Sequence, residues 1–152
     1  MTKNNEYFIR KAIDLALKSR EQGNEPFGAV LVKDNEIVMS GENQIHSIVD
    51  PTHHAEIGLI RKFCSENKID DLSDYTLYSS CEPCAMCSSA MVWSKLGKLV
   101  YSVSHEQLAE IAGSNIMIPC EEVFERSPHQ TKVEVELLNE EGLKAFEGYT
   151  FE

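Results

Sequence analysis

Long apolar runs are missing from this sequence of 152 residues. No stretch approaches the roughly 18 consecutive apolar residues that a helix needs to span a bilayer. The first residues, Met1 to Tyr7, also lack the basic segment followed by an apolar segment that marks a secretory signal. We therefore expect a cytoplasmic protein with no membrane partner.

Basic residues are scarce. The chain has 14 Lys and Arg against 25 Asp and Glu, which gives a formal net charge of −11. A surface this acidic repels phosphate backbones and lacks the basic footprint that nucleic-acid binders carry. We therefore expect no nucleic-acid partner, and the charge favours a small neutral or cationic molecule as the substrate.

Internal repeats, low-complexity segments and long linkers are also absent. The length, and an apolar fraction of 42%, are typical of one soluble globular domain with a single buried core. We expect one domain that spans residues 1–152.

The five cysteines are not expected to form a disulfide framework, which would be unusual in the cytoplasm. Cys81, Cys84 and Cys87 lie within seven residues of one another, and such clustering favours metal binding. Cys64 and Cys120 stand alone and are interpreted as small buried apolar residues.

Hydrophobic periodicity and turn residues predict the regular elements. The predicted helices cover residues 5–22, 53–67, 84–94 and 140–146. The predicted strands cover residues 27–33, 37–40, 75–80, 99–103 and 132–138, and an Asp34-Asn35 turn joins the first two as a hairpin. Residues 105–126 are irregular or form short helices. This alternation predicts a layered α/β domain with a mixed sheet, in which residues 75–103 form a right-handed parallel crossover.

Two short motifs carry the chemistry, a His-Ala-Glu at residues 54–56 and a Pro-Cys-Ala-Met-Cys at residues 83–87. Both lie at predicted helix starts, where free N–H groups and the helix dipole stabilise thiolates and developing anions. One imidazole nitrogen and two sulfurs suit zinc, and three protein ligands leave a position open for water. We therefore predict one zinc ion per chain, held by His54, Cys84 and Cys87.

Other ligand sets are possible. Cys81 as a fourth ligand would close the site and make the zinc structural, and a Cys-x-x-Cys-x-x-Cys run is also part of an iron–sulfur pattern. His53 competes with His54, but adjacent helical residues point about 100° apart, so only one of them can face the cysteines. The spacing to Glu56 selects His54.

Glu56 follows the histidine ligand by two positions, close enough to reach a bound water without being a ligand. The spacing His-x-Glu followed by Pro-Cys-x-x-Cys is typical of zinc nucleobase deaminases, in which the glutamate moves protons. We predict that Glu56 is the catalytic acid and base.

Four segments resemble the cytidine and deoxycytidylate deaminase superfamily, and within it the small nucleobase deaminases such as bacterial guanine deaminases. They are residues 26–30, 41–43, 50–56 and 80–87, and the likeness extends from about residue 5 to residue 101. The resemblance implies a three-layer α/β/α sandwich with a mixed five-stranded sheet. It also implies hydrolytic deamination of a free base, with guanine converted to xanthine and ammonia.

The same resemblance implies roles for residues around the base. Asn43 contacts the base, Phe27 and Trp93 shape the pocket, and Ala55 belongs to the substrate-binding residues. Each has a simpler interpretation as well: Asn43 as a turn former, and the two aromatic residues as part of the core.

Resemblance to guanine deaminases further implies a homodimer whose C-terminal segment reaches over a neighbouring active site. Aromatic residues between 146 and 151 could then close a lid over a planar base. One departure concerns residues 113–117, which contain no carboxylate where guanine deaminases carry an acidic pair. The substrate could instead be another aminopurine, a pterin-like ring, an isocytosine-type pyrimidine or an aminotriazine.

Three other functions remain open: a tRNA adenosine deaminase, a cytosine or cytidine deaminase, and a non-catalytic zinc-stabilised binding module. The acidic composition argues against the first, because RNA binding depends on neutralising phosphates.

Overall fold

The computed structural model describes residues 2–151, which form six helices and five strands. The helices are α1 (Asn5–Glu21), α2 (Ala55–Asn67), α3 (Ala85–Trp93), α4 (His105–Ala112), α5 (Cys120–Glu125) and α6 (Asn139–Lys144). The strands are β1 (Gly28–Lys33), β2 (Glu36–Glu42), β3 (Thr76–Cys81), β4 (Lys98–Val103) and β5 (Lys132–Glu134).

The strands form one mixed sheet in the order β2-β1-β3-β4-β5. Strand β1 pairs antiparallel with both β2 and β3, whereas β4 pairs parallel with β3 and with β5. Strand β1 therefore runs opposite to the other four. The predicted hairpin is confirmed, with Asp34 and Asn35 both at positive φ, as a two-residue turn between twisted strands requires. The predicted parallel pairing of β3 and β4 is confirmed as well.

Helices cover both faces of the sheet. Helix α1 packs on one face, where Phe8, Ile9 and Ile13 meet side chains of β1, β3 and β4. Helices α2, α3 and α5 cover the other face over a larger apolar cluster that includes Leu59 and Leu77. The three-layer α/β/α sandwich with a mixed five-stranded sheet is thus confirmed.

Several predicted boundaries differ from the structure by one to four residues, and two of these differences have clear local reasons. Helix α2 begins at Ala55, because His54 is its extended N-cap residue. Strand β5 ends at Glu134, and the left-handed conformations of Glu136 and Leu138 break the extended backbone that the alternating pattern predicts.

Residues 105–126, where the sequence predicts irregular structure or short helices, contain α4 and α5. The first of these helices has a signal in the sequence. Ser104 and Gln107 form a capping box, in which each side chain hydrogen-bonds the other residue's backbone N–H.

No helix within residues 2–151 combines the length and the apolar character needed to cross a membrane.

The central strand should carry much of the stability. Leu77 of β3 is completely buried, whereas Leu17 of α1 is 40% exposed. We expect Leu77→Ala to lower the free energy of unfolding by about 2–5 kcal/mol, because the cavity it leaves cannot fully collapse. Leu17→Ala should change it by less than about 0.5 kcal/mol. Urea unfolding measures both, and equal losses would contradict this packing.

Candidate active site

Sheet topology gathers the candidate site at one edge. The chain enters α2, α3 and α4 after the carboxyl ends of β2, β3 and β4, which all point the same way. Strand β1 runs in the opposite direction, so the loop before it reaches the same edge. Ligand sites of α/β sheets commonly form at the carboxyl ends of strands.

His54 and Cys84 are the N-cap residues of α2 and α3. Both have extended backbones, and neither side chain makes the capping hydrogen bond that most N-cap side chains make to their helix. Cys87 is the third residue of α3, the position that an N-cap side chain normally reaches. The local geometry therefore brings the two thiols together and leaves the imidazole and both sulfurs available as ligands.

The three donors form a compact group. The ligand atoms of His54, Cys84 and Cys87 lie within 4.8 Å of one another, and His54 Nδ1 is 3.5 Å from Cys84 Sγ. A tetrahedral zinc ion with ordinary Zn–N and Zn–S bonds would separate a nitrogen and a sulfur by about 3.6 Å. The donor set therefore fits zinc in kind and in spacing, and three donors leave one position open.

The competing ligands do not join this group within residues 2–151. Cys81 ends β3 and is buried, and burial next to Glu56 and Glu82 raises the pKa of its thiol. The ring of His53 packs on Gly58, so closely that a Cβ at that glycine would lie 2.8 Å from His53 Nε2. The predicted selection of His54 over His53 agrees with this geometry.

The two thiols of the donor group have opposite pKa shifts. A hydrogen bond from Cys87 lowers the pKa of Cys84 to about 4, and a further hydrogen bond from His54 acts in the same direction. The same pairing with Cys84, together with burial, raises the pKa of Cys87. The two sulfurs thus share one proton, and a bound cation would favour loss of that proton as well.

Glu56 is 6% exposed and lines the cavity beside this group without being one of its donors. Burial raises the pKa of its carboxyl to about 7, the negative charge of Cys84 adds to the shift, and the positive charge of His54 opposes it. A carboxyl group with a pKa near 7 can both accept and donate a proton at physiological pH.

The cavity itself has a volume of about 290 Å³. This is near the lower end of the usual range for small-molecule sites, so it suits one small ring system. Carboxylates of Glu25, Glu56 and Glu82 line it, and no Lys or Arg of residues 2–151 does. Residues between 105 and 115 complete its wall.

Aromatic rings close one side. Phe27 lines the cavity, and its ring centroid lies 5.8 Å from that of Phe146 and 6.2 Å from that of Phe151. Phe151 also lines the cavity, so the C-terminal aromatic segment reaches the cavity of its own chain. A planar ring in the cavity would find stacking partners here.

Asn43 and Ala55 are both buried but do not line the cavity. The Asn43 Oδ1 accepts a hydrogen bond from the Ile45 N–H, which agrees with a turn-forming role. Its Nδ2 is buried and has no partner within residues 2–151. One end of the amide therefore shapes the loop, and the other is unpaired.

Trp93 does not line this cavity, and its expected role in shaping the pocket stays a prediction. It is the last residue of α3 and is 78% exposed, beside a separate surface groove that includes Ile60 and Arg61.

Two carboxylates were missed by reasoning from the sequence. Glu82 accepts hydrogen bonds from the N–H groups of His105 and Cys120, at 3.0 and 2.9 Å, and so fastens the starts of α4 and α5 to the turn before Cys84. The position of Glu82 between Cys81 and Cys84 in the sequence was the signal that could have identified it. Glu25 is half-buried, and burial raises the pKa of its carboxyl. Nothing in the sequence distinguished it.

Comparison with known proteins identifies similar chains. The family model described as "Cytidine and deoxycytidylate deaminase zinc-binding region" matches residues 2–103. A guanine deaminase of Bacillus subtilis is 42% identical over 108 residues, which cover 70% of this chain and 69% of the relative. A tRNA-specific adenosine deaminase of Aquifex aeolicus is 38% identical over 64% of each chain. A probable cytosine deaminase of Schizosaccharomyces pombe is 38% identical over 68% of this chain and 63% of its own.

These matches span about two thirds of each relative's length. Among solved structures, one of a guanine deaminase from Nitrosomonas europaea superposes with a TM-score of 0.85 over 98% of this chain and 86% of its own. At 20% identity, that likeness establishes the fold alone.

Zinc content tests the donor group. We expect the purified protein to hold about one zinc ion per chain and Cys84→Ser and Cys87→Ser to lose it, because each removes a sulfur ligand. Cys64→Ser, outside the group, is the matched control. Cys81→Ser should also retain the metal. The zinc content of each folded variant is measured by metal analysis. Zinc retained in both ligand variants, or zinc lost in Cys81→Ser, would contradict the three-donor assignment.

Proposed function

The chain belongs to the cytidine and deoxycytidylate deaminase family, and from this premise we propose that it is a zinc-dependent hydrolase of free nucleobases or related aminated heterocycles, with guanine as its first substrate. The observation that supports this most is the position of Glu56, a buried carboxyl in a small cavity beside an incomplete set of metal donors.

In this proposal His54, Cys84 and Cys87 hold the metal. When bound, zinc supplies a Lewis acid that lowers the pKa of a water molecule toward neutrality. The two thiolates and the imidazole fix three positions, and the chain offers no fourth donor within residues 2–151.

Glu56 moves the protons. Its carboxylate takes a proton from the attacking water and delivers it to a ring nitrogen next to the amino-bearing carbon. It then passes the second proton to the departing amine, and the carbon–nitrogen bond breaks. One water is consumed, a ring carbonyl replaces the amino group, and ammonia leaves. The raised pKa of Glu56 suits both directions of transfer.

The dimensions and charge of the cavity favour a free base. A volume of about 290 Å³ holds one small heterocycle. Three carboxylates in the lining, and the net charge of −11, disfavour a phosphate group. The rings of Phe27 and Phe151 offer apolar faces to a planar molecule. Guanine, which is planar and neutral, meets these conditions.

A tRNA adenosine deaminase is the second candidate, because one relative at 38% identity carries that name. Such an enzyme must bind an anticodon stem, which rests on contacts between basic residues and phosphates. The acidic surface weakens this candidate, and turnover of an anticodon stem-loop distinguishes it from the first.

Ammonia release from a panel of compounds tests the proposal. The zinc-loaded protein is offered guanine, adenine, cytosine, cytidine, adenosine and a tRNA anticodon stem-loop at low salt. We expect the highest kcat/KM with guanine and no detectable turnover of the stem-loop. Deamination of the stem-loop without turnover of any free base would overturn the proposal in favour of the tRNA enzyme.

Loss of the proton carrier should abolish turnover without loss of metal. We expect Glu56→Gln to reduce kcat by at least about 10²-fold, because the amide cannot take a proton from water. The zinc content should stay at about one per chain. Glu66→Gln, at an exposed position on the same helix, removes the same charge and should leave kcat unchanged.

Unaltered activity in Glu56→Gln would contradict the role of Glu56. Absence of turnover in the unmodified protein on every compound would instead indicate a zinc-stabilised binding module.

A further inference from the structure

Glu25 lies in a loop that is fixed on both sides. Its neighbours Asn24 and Pro26 are buried. The Asn24 Oδ1 accepts hydrogen bonds from the backbone N–H groups of His46 and Ser47, at 2.9 and 3.0 Å. The backbone N–H of Asn24 donates to the Ser19 carbonyl. The backbone at Glu25 is therefore anchored between α1 and β1, and its side chain starts from a defined position.

Glu25 lines the same cavity as Glu56 and His54. The positive charges of His54 and His46 act on its carboxyl group and partly oppose the rise in its pKa that burial causes. It forms no hydrogen bond and no ion pair with any of residues 2–151, although it is half-buried. A partly desolvated carboxylate without a donor loses hydrogen bonds that water would provide. A ligand that brings an N–H group into the cavity would restore one.

The other two carboxylates of the cavity are already engaged. Both oxygens of Glu82 accept backbone N–H groups, and Glu56 is the proton carrier of the proposed function. The wall formed near Ser114 and Asn115 contains no carboxylate. Among the residues that the structure describes, Glu25 is thus the carboxylate of this cavity that has neither a hydrogen-bond partner nor a part in the proposed proton transfer.

We propose that Glu25 determines substrate specificity by accepting a hydrogen bond from a ring N–H next to the amino-bearing carbon. This inference rests on the proposed function. A carboxylate is only an acceptor, so it attracts a ring N–H and repels a ring nitrogen that presents a lone pair. The preferred substrates are therefore amino heterocycles with an adjacent N–H, such as guanine with its N1–H.

Guanine and 2-aminopurine test this directly. Both carry the same amino group at C2, but N1 has a hydrogen in guanine and a lone pair in 2-aminopurine. We expect the unmodified protein to favour guanine by at least about tenfold in kcat/KM. In Glu25→Gln, KM for guanine should rise about tenfold or more, with kcat changed less than about threefold. KM for 2-aminopurine should stay constant or fall, because the glutamine amide can donate to N1.

Two further variants separate recognition from a structural role. Glu21→Gln, at the exposed end of α1, makes the same change in charge and should leave the preference intact. Glu25→Asp keeps the acceptor and should retain the preference for guanine with weaker binding. Zinc content and thermal unfolding should match the unmodified protein in all three variants.

An unchanged ratio of the two substrates in Glu25→Gln, or an equal loss of kcat on both, would overturn the role of Glu25 while the proposed deaminase stands. No ammonia from either compound with the unmodified protein would overturn the inference together with the deamination of free aminopurines that it depends on.

Discussion

Helices α2 and α3 begin at the same edge of the sheet, and the candidate site depends on this arrangement. Because β2 and β3 point the same way, α2 and α3 start side by side, and their N-cap residues His54 and Cys84 face each other across 3.5 Å. An N-cap side chain ordinarily bonds its own helix. Here neither side chain makes a capping hydrogen bond, which leaves nitrogen and sulfur donors directed at a common point. The positive helix ends also stabilise thiolates.

Burial at the same edge of the sheet also explains the raised pKa of Glu56. Glu56 lies in the first turn of α2 and is nearly fully buried, so desolvation raises the pKa of its carboxyl to about 7. An acidic chain that buries a further carboxylate there loses stability. In the proposed function, a metal ion and a substrate with N–H groups supply the positive charge and the donors that a lining without Lys or Arg among the described residues lacks. The proposed function uses this cavity for small amino heterocycles, which its carboxylates favour over phosphates.

Sequence reasoning predicted what depends on local spacing. The three donors and Glu56 lie within two short motifs, and each motif lies at a helix start that local spacing predicts. The pairing of the two motifs depends on the sheet. The sheet was also predictable, because strands and helices alternate clearly. Glu25 and Glu82 were missed, since their importance comes from packing between segments distant in sequence. The role of Trp93 stays a prediction, because the residue lies exposed at the far end of α3 and does not line the cavity.

Zinc K-edge X-ray absorption of the metal-loaded protein tests the central claim most directly, because it counts the ligand atoms around the ion. An open site on His54, Cys84 and Cys87 predicts two sulfurs at about 2.3 Å and two lighter atoms at about 2.0–2.1 Å, one from imidazole and one from solvent. Three or four sulfurs, with Cys81 among them, would mean a closed structural site and would contradict the account.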